Sequence, residues 1–137
     1  MRARTLFLSK LIGLYCLLVG LFMFTRKEGM NAAVKAIFHD PGVLLVGGLI
    51  AIVIGLAMVL AHNVWSGGAP AVIVTLFGWT ALIKGIILLF LPPDAGAGYL
   101  AALHYDQLFY FYAGLMVVLG AYLTYAGFRP ARAPENR

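Results

Sequence analysis

Four runs of about twenty apolar residues, set between short polar connectors, leave this chain very few ways to fold. A bilayer core is about 30 Å thick and a helix rises about 1.5 Å per residue, so about twenty apolar residues span it. The runs cover roughly residues 6–24, 43–61, 71–91 and 108–128. The second and fourth carry no charge, the first holds Lys10 near its start, and the third holds Lys84. They are continuously apolar and do not alternate, which argues against the strands of a membrane barrel. Composition agrees: 63% of the 137 residues are hydrophobic and 11% charged, against about 45–50% and about 25% in a soluble domain. A soluble domain of this size leaves much of its surface in water and could not hide that excess. Cys16 is the only cysteine, so no disulfide framework is available.

The connectors support the division. Asp40-Pro41-Gly42 precedes the second run, Ser66-Gly67-Gly68-Ala69-Pro70 the third, and Pro92-Pro93-Asp94 follows the third. Proline has no amide to waste at a helix start and stops a helix that reaches it. The short middle connector predicts a tight antiparallel hairpin between the second and third spans. Residues 31–38 and 99–104, in the longer connectors, each have the makeup of a short interfacial helix. The first run exits into Thr25-Arg26-Lys27-Glu28 without a small-residue cleavage site, so it is expected to be retained as a span.

Charge sets the expected orientation. Arg2, Arg4 and Lys10 flank the first span, and Arg129, Arg132 and Arg137 follow the fourth. Four spans put both groups on one side, opposite Arg26, Lys27 and Lys35. The excess of positive charge then places both termini in the cytoplasm. This distribution accounts for the net charge of +5 without nucleic acid, and anionic headgroups suffice as its partner.

Each run contains two glycines seven residues apart: Gly13 and Gly20, Gly48 and Gly55, Gly78 and Gly85, Gly120 and Gly127. Nearly two turns separate each pair, so each marks one stripe on which backbones can approach. The stripes suit packing within the chain or between subunits. A shift of 65 residues aligns Gly13 with Gly78, Gly20 with Gly85, Gly55 with Gly120 and His39 with His104. The expected architecture is an all-α integral membrane four-helix bundle of two tandem helix hairpins. Residues 1–128 form a single transmembrane domain and 129–137 a disordered cytoplasmic tail.

Lys84 is the most informative single residue. It lies well inside the third span, where a cation costs about 2.5–3.5 kcal/mol or more. Either its stem lets the ammonium reach the nearer interface, or it faces inward and binds a carboxylate. Thr80 shares its face, and Glu28, Asp94 and Asp106 are available as counter-ions. Asp40 and Asp106 each stand just before a helix, where a carboxylate satisfies free amides. With His39 and His104 they could in principle ligate a metal, but no His-x-x-x-His or Cys-x-x-Cys spacing supports one, and none is expected. No histidine lies in mid-span to hold haem, so no cofactor is expected either. His62, Asn63 and Trp65 close the second span: Trp suits an interface, and His62 is the titratable group of the short loop. Aromatics cluster at both ends of the fourth span, as in interfacial belts.

The run Ala61-His62-Asn63-Val64-Trp65, with Gly78-Trp79, Lys84-Gly85 and Pro92, resembles a group of small, uncharacterised bacterial inner-membrane proteins. Those are four-span proteins with an H-N-x-W and a G-W-x-x-x-x-K-G element. The resemblance covers roughly residues 11–92. It implies a bacterial plasma membrane and nominates His62, Asn63, Trp65, Trp79 and Lys84 as a functional set. Taken together, the expectation is a non-enzymatic membrane protein that self-associates or joins a larger membrane complex. The alternatives are a small oligomeric transporter or channel using Lys84, and a membrane-embedded redox or lipid-modifying protein.

Overall fold

The computed structural model describes residues 3–92 and 94–129, and within them the chain is helical without strands. Its elements are α1 (Ala3–Thr25), α2 (Lys27–His39), α3 (Pro41–Ala61), α4 (Ala69–Phe90), α5 (Gly96–Ala102) and α6 (Phe109–Phe128). Four of them, α1, α3, α4 and α6, are long and apolar enough to cross a membrane, the makeup of a multi-pass membrane protein. Their bounds lie within three residues of the apolar runs. The short helices of the connectors are α2 and α5. Residues 130–137, most of the expected disordered tail, lie outside the described residues.

Local chemistry explains the breaks. Asp40 Oδ1 accepts from the amides of Gly42 (2.8 Å) and Val43 (3.1 Å), with Pro41 in the first turn of α3; a capping carboxylate and an N1 proline together start a helix. Gly67 and Gly68 have φ of +103° and +108°, a conformation open to glycine at little cost, and they turn the chain into α4. Leu91 leaves the helical region before Pro92, as the residue before proline does. Asp106 does not cap α6. His104 adopts a positive φ of 49°, its carbonyl takes the amides of Gln107 (3.1 Å) and Leu108 (2.9 Å), and this turn delays the helix to Phe109 and leaves Leu108 as the cap. The Asp106 carboxylate instead pairs with Lys35.

The spans pair in a different order from two tandem hairpins. α3 and α4 do form the expected antiparallel hairpin, but α1 packs along α6, the last span. α1 and α4 meet more sparingly, and α3 and α6 share no interface of comparable extent. The spans therefore form a row, α6, α1, α4, α3, in place of a closed ring. In each half of the chain the two spans find their main partners in the other half. The crossovers explain how: α2 has 13 residues, about 20 Å at 1.5 Å per residue. That is about the width of two helix spacings of 8–10 Å, enough to carry the chain from α1 past α4 to α3. The crossing helices α2 and α5 touch, with the Phe38 and Tyr99 rings stacked at 5.5 Å.

All eight heptad glycines lie in these two interfaces. A Cβ on Gly13 would come within 2.5 Å of the Thr124 amide nitrogen, and one on Gly120 within 2.6 Å of that of Leu17. Gly20 faces Val117, and Gly127 faces Lys10. Between α3 and α4, Gly55 lies against the Leu82 backbone, Gly85 against Ile52, Gly78 against Met58 and Val59, and Gly48 against Leu89. The second set repeats the first at an offset of 65: Gly13 and Thr124 become Gly78 and Val59, Leu17 and Gly120 become Leu82 and Gly55, Gly20 and Val117 become Gly85 and Ile52. The offset maps α1 against α6 onto α4 against α3, so the row has an approximate two-fold axis through the α1–α4 contact.

Two apolar clusters hold the row. Ile12, Cys16, Val74 and Leu123 are buried where α1, α4 and α6 meet, with Met58 of α3 packed on them. Met23, Phe109 and Ala113 form the second, near the crossover end of α1 and α6. Phe109 is fully buried, so the aromatic cluster there is not wholly an interfacial belt: Tyr110 and Phe111 face outward while Phe109 is core.

Candidate functional site

Polar side chains concentrate at the two ends of the row, and the sequence-nominated residues divide between them and the outer surface. Lys84 is exposed on α4, six residues before its end, or about 9 Å of rise. It faces out of the row, and among the described residues no carboxylate pairs with it. The Thr80 hydroxyl, one turn away, donates to the Phe77 carbonyl (3.0 Å) and is satisfied within its own helix. None of the three expected counter-ions is engaged with Lys84, and Asp94 is exposed beyond the end of α4. Asp106 sits 3.2 Å from the Lys35 ammonium, and Glu28 is exposed in the first turn of α2.

At the end where α1 begins and α6 ends, the H-N-x-W element is organised by two hydrogen-bond centres. The Asn63 carbonyl oxygen accepts from the Trp65 indole (2.7 Å) and, more weakly, from that of Trp79 (3.5 Å). Three of the five residues nominated by the resemblance thus converge. Lys84 is five residues past Trp79, about 140° around the helix, and belongs to a different face. His62 is 3% exposed and its Nε2 has no hydrogen-bond partner; it is buried while Asn63 is exposed.

The second centre is Thr75, which sequence reasoning missed. Its hydroxyl accepts from the Val64 amide (3.1 Å) and lies within donating distance of the Val64 (2.9 Å) and Ala71 (3.0 Å) carbonyls. It clasps the connector onto α4 as the chain leaves α3. The available signal was a threonine at the position 65 residues from Lys10, inside an otherwise apolar turn. Thr5, Ser9 and Thr124 are further polar residues of this half of the row; the Ser9 and Thr124 hydroxyls have no partner.

The crossover end contains a cleft of about 350 Å³ between α2 and the α5–α6 connection. Lys35 and His39 line it from α2, Leu100 and Ala101 from α5, and His104, Tyr105, Asp106 and Gln107 from the turn that follows. His39 Nδ1 is 2.6 Å from the Lys35 carbonyl and His104 Nδ1 3.1 Å from the Ala102 carbonyl. Burial, and after it the nearby Asp106 carboxylate, raises the Tyr105 phenol above its ordinary 10.0. Among the described residues no three His, Cys, Asp or Glu side chains lie close enough together to hold a metal ion. Asp40 is committed to its cap.

No protein-family model matches the chain, and searches of curated proteins and of solved structures find no significant match.

Proposed function

We propose that the chain is a non-enzymatic, multi-pass protein of a bacterial plasma membrane that works by association, with its own copies or as a small subunit of a larger membrane complex. The row of spans carries this reading. Each edge helix has one main span neighbour, and only 17% of the most apolar stretch of α3 is buried within the chain. The heptad glycines are engaged between spans of one chain, so association would use the outward faces of α3, rich in Leu, Ile and Val, and of α6, rich in Tyr and Phe. The basic flanks put the termini and the Thr75 clasp in the cytoplasm, and the cleft outside. The recurrence of contacts at an offset of 65 supports an ancestral duplication. Native mass measurement and cross-linking in intact membranes test the proposal. A stable lone monomer without co-purifying partners overturns it.

A second reading is favoured by the unpaired, outward Lys84. In an oligomeric transporter or channel, a polar path would form between copies, with Lys84 on its wall. Lys84→Met would then abolish flux while leaving membrane level and melting unchanged. Unchanged flux removes this reading.

A further inference from the structure

The crossover-end cleft has a donor and acceptor pattern that selects its ligand. A carbonyl oxygen only accepts, so the Nδ1 atoms of His39 and His104, held on the carbonyls of Lys35 and Ala102, carry the hydrogens. Each neutral ring then has Nε2 as a free acceptor. The two rings are 65 residues apart in sequence, as befits positions flanking the approximate two-fold axis, and both line the one cleft. Beside them the Lys35 ammonium and Asp106 carboxylate, 3.2 Å apart and both about half exposed, present a positive and a negative group side by side. Leu100, Ala97 and Ala101 supply an apolar surface.

The complement of that arrangement is a small zwitterion. Its ammonium must carry N–H donors, because two imidazole nitrogens and a carboxylate accept hydrogen bonds. A quaternary ammonium has none to give and would want a cage of aromatic faces, whereas among the described residues Tyr105 is the one Phe, Tyr or Trp lining the cleft. Its anion meets Lys35, and phosphate is the anion that a lysine takes up well. About 350 Å³ is at the small end of ligand sites, suited to a headgroup and too small for a nucleotide cofactor. The cleft also lies where the spans end, at headgroup level for a chain embedded in a bilayer.

We propose that this cleft binds a phosphate ester of a primary amino alcohol, the group carried by phosphatidylethanolamine and by free phosphoethanolamine. The phosphate contacts Lys35, and the ammonium contacts Asp106 and the Nε2 atoms of His39 and His104. The proposal is independent of association, since one chain forms the whole cleft.

The test uses the full chain in detergent and short-chain dihexanoyl lipids, with binding read by native mass spectrometry and calorimetry. The ethanolamine lipid should bind about tenfold more tightly than the choline lipid, the size expected of charged hydrogen bonds. Asp106→Asn and the double change His39→Leu with His104→Leu should each weaken it about tenfold. His39→Gln keeps an acceptor and should retain most of the affinity, which separates hydrogen bonding from a loss of fold. All four polar residues are exposed, so melting should move by no more than a few degrees in any of these variants. Free phosphoethanolamine binding as tightly as the lipid identifies a soluble ligand, and binding by the lipid alone identifies a headgroup; either supports the site. Equal affinity for the two lipids, or wild-type affinity in Asp106→Asn and the double variant, overturns it.

Discussion

The α1–α6 and α3–α4 pairs share a register and a glycine pattern, yet they are secured differently. α3 and α4 are neighbours in sequence, joined through a short connector that Thr75 clasps to α4. α1 and α6 are the first and last spans, and bringing them together closes a far longer loop, which costs more entropy. Their ends carry extra contacts that the other pair lacks. Lys10 lies 4.7 Å from the Phe128 ring centroid, Phe24 stacks on Tyr110 with centroids 6.0 Å apart, and Met23 packs with the fully buried Phe109. Close glycine contact is thus the common device, and side-chain anchoring rises where the connection is remote.

The largest expected effects come from breaking the shared device. Gly120→Val and Gly55→Val both push a Cβ into partner backbone, and overpacking of this kind costs about 1–3 kcal/mol, occasionally more. Gly120→Val should lower the melting temperature further, because no short connector holds α6 beside α1. Gly47→Val and Gly114→Val meet nothing within 4 Å and should change stability by less than about 0.5 kcal/mol. Equal losses at all four positions would mean that helix propensity, and not interhelical contact, governs these sites.

A middle-sized effect separates the pairs by their hydroxyls. Thr75→Val leaves the Val64 amide without its partner and should cost about 1–3 kcal/mol. Thr124→Val removes a buried hydroxyl that has no hydrogen bond, so it should be neutral or slightly stabilising. Chemical-denaturant or steric-trapping measurements on the two variants read the difference directly. Similar costs for both would show that Thr124 has a partner in solution.

Much of this was legible in the sequence, for identifiable reasons. The spans follow from uninterrupted apolar length, and Asp40 before Pro41 announces its cap because capping is local. The 65-residue offset was visible in the glycines. Partner choice was not: four stripes of like spacing fit one another equally well, and connectors long enough to reach an adjacent span also reach the next one. Asp106 precedes a helix as Asp40 does, but the turn at His104 depends on how α5 meets α6, which no short motif encodes. Lys84 directly precedes Gly85, and one residue is about 100° of helix. Its position off the buried stripe could therefore have been read, but only once that stripe was known to lie inside the chain.

The smallest effects compare the starts of α3 and α6. Asp40→Ala removes a cap that holds two amides and should cost about 1 kcal/mol. Asp106→Asn removes a half-exposed ion pair with Lys35 and should cost about 0.2–1 kcal/mol. It should also move the Tyr105 titration. Burial first, and the Asp106 carboxylate second, raise this phenol above 10.0. The native state therefore holds that proton more tightly than the unfolded chain does. The resulting stabilisation is complete below pH 10 and is lost as pH rises through the folded value. In Asp106→Asn the tyrosinate absorbance attributable to Tyr105, isolated by difference from Tyr105→Phe, should begin at lower pH. Burial remains, so the value should still stay above 10.0. An unmoved titration would place Asp106 too far from the phenol to act on it and would leave burial as the cause of the raised value.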